Sequence, residues 1–158
     1  MKEEELLHTF YQAFQNRDFK TMASCYHEDA CFKDEVFKLQ GKEINAMWHM
    51  LCERAKDFSL TYSINKKDQE YEVIWVAKYT FSQTGRFVEN KITAKFEFKN
   101  GKISKHQDTF DFWCWNRQAL GMPGYLIGWS SFFRKKVKLM AGKNLNTFIG
   151  RHPEYRSA

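Results

Sequence analysis

Residues 99–115 read Lys-Asn-Gly-Lys-Ile-Ser-Lys-His-Gln-Asp-Thr-Phe-Asp-Phe-Trp-Cys-Trp. Asn100-Gly101 is the dipeptide of a tight hairpin turn, because both central residues of that turn need positive φ. The residues that follow, 103–115, alternate as a strand. Ser104, His106, Asp108, Phe110, Phe112 and Cys114 fall on one face. Ile103, Lys105, Gln107, Thr109, Asp111, Trp113 and Trp115 fall on the other. The first face sets a His and an Asp two residues apart beside two Phe rings. If that face lines a pocket, it holds an acid/base pair in an apolar setting.

Upstream, the same period of two continues. Strands are predicted over 58–64, 71–81 and 87–98, separated by the polar turns Asn65-Lys66-Lys67-Asp68 and Ser82-Gln83-Thr84-Gly85. Ile92, Ala94, Phe96 and Phe98 share one face of the third. With 103–115 these strands make a four-strand antiparallel meander. Before residue 57 the period is helical. Leu6, Leu7, Phe10, Tyr11 and Phe14 form the stripe of a first helix over 3–15. Asp18 caps a second helix over 18–27 that buries Phe19, Met22, Ala23 and Tyr26. Short strands are predicted at 30–33 and 36–39, around Lys33-Asp34-Glu35. A third helix over 42–56 carries the stripe Ile44, Met47, Trp48, Leu51, Cys52 and Ala55. Helices followed by a meander give an α+β layout.

The 158 residues suit one domain, and 15 Phe in a chain that is 17% aromatic point to aromatic core or pocket walls. Residues 1–116 hold 17 Lys/Arg against 18 Asp/Glu, whereas 117–158 hold 8 against the single acid Glu154. A near-neutral body with a basic tail argues against a nucleic-acid footprint over the whole domain. The tail, broken at Gly121-Met122-Pro123-Gly124, predicts one more helix over 130–148 with Phe133, Val137, Met140, Ala141, Leu145 and Phe148 on a face. Its Arg134, Lys135, Lys136, Lys138 and Lys143 fit either a solvated basic side of a docked helix, the favoured reading, or contact with an anionic membrane surface. Cys25, Cys31, Cys52 and Cys114 show no paired spacing and read as reduced, mostly buried thiols. No metal-ligand spacing and no cofactor loop is evident. The acidic start and short apolar runs predict a cytoplasmic protein.

Three motifs then resemble one family. Asn16-Arg17-Asp18-Phe19 is similar to its turn between helices one and two. Residues 26–34, Tyr-His-Glu-Asp-Ala-Cys-Phe-Lys-Asp, resemble its run into the first strand, and residues 100–108, Asn-Gly-Lys-Ile-Ser-Lys-His-Gln-Asp, its final hairpin. The family is the nuclear-transport-factor-2-like superfamily, in its branch of SnoaL-like polyketide cyclases and ketosteroid isomerases. The resemblance covers about residues 3–115. It implies a cone-shaped fold, in which a curved antiparallel sheet packs against three N-terminal helices around an apolar cavity. Residues 1–116 would be the cone and 117–158 a helical extension packed on it.

The resemblance also implies site residues. Asp34 matches a carboxylate that moves a proton in the isomerases, Asp108 is the counterpart of an acid/base Asp of the cyclases, and His106 shares its strand face. The isomerase Tyr donor falls near Phe10, with Tyr11 one residue round the helix, and its protonated acid falls at about Ala94. The isomerase oxyanion hole is therefore not expected. From the residues alone, the turn role is the favoured reading of Asp34, and only the family motif brings the two level; for His106 and Asp108 the flanking Phe110 and Phe112 favour the pocket over a solvated or hydrogen-bonded polar pair. Tyr11, Phe14, Tyr26, Trp48, Phe96, Phe98, Phe110 and Phe112 are the candidate walls for a small hydrophobic ligand, or simply core. His49 reads as surface, His27 as structural at a helix end, and His8 and His152 suggest no role. Two function classes follow: a cofactor-independent isomerase or cyclase using Asp/His chemistry, or a non-catalytic ligand-binding or protein-interaction domain. The resemblance further implies a homodimer, with Asp111, Trp113 and Trp115 as contact candidates.

Overall fold

The computed structural model describes residues 2–123 and 130–157. Helices α1 (Lys2–Gln15) and α2 (Phe19–Ser24) lead into strands β1 (Tyr26–Lys33) and β2 (Lys38–Gln40). Helix α3 (Lys42–Arg54) follows, then β3 (Ser59–Lys67), β4 (Glu70–Phe81), β5 (Arg86–Lys99) and β6 (Lys102–Thr109). Two further helices, α4 (Phe112–Leu120) and α5 (Ser131–Arg151), and a 3-10 turn at Pro153–Tyr155 complete the described chain. The fold is α+β, with an open curved sheet of six strands in the order β2-β1-β6-β5-β4-β3.

The meander from β3 to β6 is antiparallel throughout. Asn100 and Gly101 both take positive φ, 52° and 73°, as the hairpin reading required. The β1–β2 hairpin completes the sheet by placing β1 parallel to β6. One face of the sheet is buried beneath the helices. Tyr71, Val73, Trp75 and Ala77 of β4 and Ile92, Ala94 and Phe96 of β5 join the core with Leu7, Phe10, Tyr11 and Phe14 of α1 and Ile44, Met47 and Trp48 of α3. Alternation along each strand does this: every second residue is apolar, so one face has to be covered.

Several sequence expectations are corrected. The strand that begins at 102 stops at Thr109, and residues 112–120 are helical. Asp111 is the cause, since its side chain accepts a 2.9 Å hydrogen bond from the Cys114 N–H and caps α4. From there Phe112, Asn116 and Ala119 are buried on a helical period. The two-face assignment fails for Ile103 as well. Lys105 opposes Glu97 while Ile103 opposes Phe98, so Ser104 is an extra residue in the ladder. That bulge turns Ile103 inward together with His106 and Asp108.

The second helix ends at Ser24, which puts Tyr26 and His27 at the start of β1 instead of on a helix. On α3, Leu51 is exposed while Ala46 and Met50 are buried. A second helix, α5, covers that flank and widens the buried stripe. On α5 itself only Leu145 and Phe148 are buried, and Met140 is exposed. Of the breaker, Gly121 ends α4 at positive φ, and Gly124 lies outside the described residues. The thiols are free, but only Cys25 and Cys52 are buried. Among the described residues, no helix is long and apolar enough to cross a membrane.

Candidate functional site

The bulge at Ser104 and the pleat of β6 aim His106 and Asp108 into the covered face, where they are 1% and 4% exposed. Burying such groups is costly unless each polar atom is paired. Here a single chain of hydrogen bonds does the pairing. The Trp48 Nε1–H donates to Tyr26 Oη at 3.0 Å. Tyr26 Oη lies 2.6 Å from His106 Nδ1. His106 Nε2 lies 2.9 Å from Asp108 Oδ1.

The direction of this chain follows from what each group can do. Indole only donates, so Tyr26 Oη accepts from Trp48; His106 Nδ1 is the one further partner of that hydroxyl among the described residues, so using its proton sends it there. His106 Nδ1 is then an acceptor, and Nε2 carries the proton that goes to the Asp108 carboxylate. A neutral imidazole with an ionised Asp108 satisfies every donor in the chain. Burial pushes the Tyr26 phenol above its ordinary pKa, so it stays protonated and can fill this role.

Rings close in on the imidazole. Phe96 sits 4.3 Å from it between centroids, Phe32 5.0 Å and Phe10 5.8 Å. Trp48 and Tyr26 stack near it at 6.1 Å each. Tyr11 and Phe14 extend the same wall toward Trp75. Tyr26, Trp48 and Phe96 thus lie against the imidazole, and Tyr11 and Phe14 lie in the adjoining core. Phe98 lies farther along, against Tyr71, and Phe110 is half-buried at the edge of the core. Phe112 does not belong to this wall. It stacks on Trp115 in α4, outside the main core, because the strand had already ended. Phe10, Phe32 and Trp75 were missed as wall residues, although the stripe of α1 and the alternation of β1 and β4 carry them.

These side chains pack against one another in the buried core. A cleft of about 380 Å³ lies along β2, β1 and β6, and its lining includes Phe32, Leu39 and His106 together with Cys31, Lys33, Lys38 and Lys105. Inside, three core donors stand without a partner among the described residues: the Tyr11 and Tyr71 hydroxyls and the Trp75 indole N–H. Tyr11 is fully buried, and its pKa is driven up by burial first and by the charge of Asp108 second.

Asp34 follows β1 and is half-buried in the turn to β2. Its Oδ1 accepts from the backbone N–H groups of Val36 and Phe37, so the turn role is real. Burial nevertheless raises its pKa to about 6, with those two bonds opposing and the Asp108 charge adding to the rise. Asp34 is therefore within electrostatic reach of the buried pair. The remaining polar candidates play other parts. Asp111 caps α4, Trp115 donates to Tyr79 Oη at 2.7 Å, and Trp113 lies under the Arg117 guanidinium. His49 is half-buried between α3 and the end of α5, not on the surface.

Comparison with known structures agrees with this architecture. A protein of ketosteroid isomerase-like fold from Catenulispora acidiphila, in complex with trimethylamine, superposes with a TM-score of 0.65 at 12% identity, over 77% of this chain and 95% of that one. Bal32a, from a soil-derived mobile gene cassette, gives 0.64 at 21% identity over 74% and 95%. A putative polyketide cyclase from Xanthomonas campestris gives 0.62 at 16% identity over 74% and 96%. These identities carry the fold alone. No curated protein matches the sequence. The SnoaL-like domain family matches residues 7–106, a span that runs from the first helix to His106 itself, and the chain belongs to that family.

Proposed function

We propose that the protein is a cofactor-independent acid–base enzyme of the isomerase or cyclase type, acting on a small hydrophobic carbonyl compound. One observation carries this reading: the ordered chain Trp48–Tyr26–His106–Asp108 ends on a buried carboxylate near an unpartnered Tyr11 hydroxyl. A carboxylate held in an apolar wall can take a proton from carbon next to a carbonyl. Tyr11 Oη and Trp75 Nε1 supply donors for the oxygen on which the charge then develops, a type of contact worth several kcal/mol to such a barrier. Asp34, with a pKa of about 6, is half protonated at about pH 6 and retains a protonated fraction at neutral pH, which suits the return of a proton. His106 fixes the orientation of Asp108. The cleft whose lining includes Phe32, Leu39 and His106 gives a ligand an approach to this pair.

The alternative is a non-catalytic ligand-binding or protein-interaction domain. It draws on the same packed interior, in which His106 and Asp108 are polar groups satisfied for the sake of the core. A homodimer remains part of the proposal, with Asp111, Trp113 and Trp115 as its contact candidates; Asp111 and Trp115 also make hydrogen bonds within the chain.

Proton exchange separates the two readings. A panel of apolar ketones and enones is incubated with the protein in D2O, and deuterium uptake beside the carbonyl is followed by NMR. The enzyme reading expects catalysed exchange that Asp108→Asn abolishes while ligand-induced shifts at the wall rings persist. Binding without exchange overturns the enzyme and leaves the binding module. Neither exchange nor binding sinks both uses of the interior.

A further inference from the structure

A second set of chemistry-bearing side chains meets far from Asp108, where the end of α5 reaches α3. His49 and Glu53 lie one turn apart on α3, and His152 is the C-cap residue of α5. One donor atom from each lies within 4.8 Å of the other two. The rings are fixed by their neighbours. His49 stacks on Phe19 at 3.6 Å between centroids, and His152 stacks on Phe148 at 4.0 Å.

The outward nitrogens are spoken for. His152 Nδ1 is 2.9 Å from the Phe148 carbonyl oxygen, which can only accept, so Nδ1 holds the proton and Nε2 holds the lone pair. His49 Nδ1 is 2.9 Å from Tyr155 Oη, and its Nε2 is 3.6 Å from Glu53 Oε2. A hydroxyl or carbonyl bound to the far nitrogen of an imidazole is the usual second partner of a metal-bound histidine.

We propose that His49, Glu53 and His152 bind a divalent transition-metal ion of the Zn2+ class, and that the ion fastens the end of α5 to α3. Two imidazole nitrogens and one carboxylate oxygen are a donor set for such an ion, with the fourth position left to water. The 3.6 Å between His49 Nε2 and Glu53 Oε2 is close to the spacing of two ligands on a tetrahedral Zn2+, roughly 3.4 Å for bonds near 2.1 Å. The ion docks without redox change. Any proton on His49 Nε2 is displaced to solvent, and Nδ1 donates to Tyr155 Oη. Glu53 is exposed, which leaves the ion a path in from water. His152 and Tyr155 lie beyond the residues that match the family, so the site is a property of this chain's extension and independent of the interior chemistry.

The test uses the full chain, stripped with a chelator and dialysed. Calorimetric titration with Zn2+ and visible absorption with Co2+ are expected to show one saturable site per chain, with a tetrahedral Co2+ spectrum. Glu53→Gln and His152→Ala are each expected to weaken binding by about tenfold or more, whereas the control His8→Ala leaves it unchanged. Because Glu53 is exposed, Glu53→Gln keeps the fold. In the wild-type chain, Zn2+ should also perturb the ring signals of His49 and His152 and slow amide exchange over 145–155. Absence of a saturable site, or binding that both variants leave intact, overturns the proposal.

Discussion

Tyr26 and His106, 80 positions apart, are joined by a 2.6 Å hydrogen bond that ties the first strand to the sixth inside the core. The bond decides the protonation of everything around it. Trp48 can only donate to Tyr26, and the arrangement that leaves no donor of the chain unused has Tyr26 donating to His106 Nδ1 and His106 Nε2–H donating to Asp108. A tautomer is thus set by a helix residue that never touches the imidazole through a hydrogen bond. Such a network is strong when complete and costly when one member is lost.

Tyr26→Phe removes that link and nothing else of size. It strands the Trp48 N–H and His106 Nδ1 in a dry interior. The expected loss is about 1–3 kcal/mol of stability, the cost of buried groups left unpaired. Urea unfolding should show a lower midpoint with an unchanged slope, and 15N spectra should show His106 losing its single tautomer. An unaltered midpoint would mean the chain of bonds is not formed in solution.

Asp34 gives a pH signature. Its pKa is raised in the fold from 3.8 to about 6, so between those values the folded state binds more proton than the unfolded one. Stability from this group therefore falls as pH rises from about 4 to about 6 and is level above that. Asp34→Asn keeps an oxygen for the Val36 and Phe37 N–H groups and has no charge to bury. The variant should gain on the wild type by up to about 3 kcal/mol across that window. Denaturant titrations at pH 4 and pH 7 check it, and a difference between the two proteins that does not change with pH refutes it.

Asp111→Ala tests why the last strand is short. Its carboxylate caps α4, and losing a cap of this kind costs about 1 kcal/mol. Thermal unfolding should fall by a few degrees, and amide exchange should rise over 112–116 while β6 is unaffected. Equal exchange changes in β6 would show that the strand and helix are one unit.

How far the sequence could be read follows from where information is local. Asn100-Gly101, the turn at 82–85 and the stripes of α1 and α3 are short-range signals, and they placed the fold. The alternation His106-x-Asp108 also pointed both side chains inward correctly. The same alternation failed beyond Thr109, because Phe-Trp-Cys-Trp fits either period and only the Asp111 cap separates them. It failed at Ile103 because a bulge is a pairing event with β5 that no single strand announces. Tyr26 was placed on a helix and yet named a wall residue; its partner lies too far along the chain for periodicity to find. His49 and His152 are likewise brought together only by the docking of α5 on α3.

Tyr11 offers the sharpest contrast between stability and function. Its ring is fully buried between Tyr62 and Phe10, yet its hydroxyl has no partner among the described residues. If the interior serves only as a core, that oxygen is a defect, and Tyr11→Phe should stabilise the protein by about 1–2 kcal/mol with no other consequence. If the interior receives a carbonyl ligand, the same variant should be equally stabilised but should bind apolar ketones more weakly, because the donor is gone. Proton exchange at the bound ketone should fall further than its affinity, since the hydroxyl acts most on the charge that develops during the reaction. Parallel unfolding and ligand titrations of the one variant therefore weigh the two readings. A gain in stability with ketone binding and exchange unchanged would assign Tyr11 to packing. A gain in stability with a loss of exchange would place its hydroxyl at the reacting oxygen.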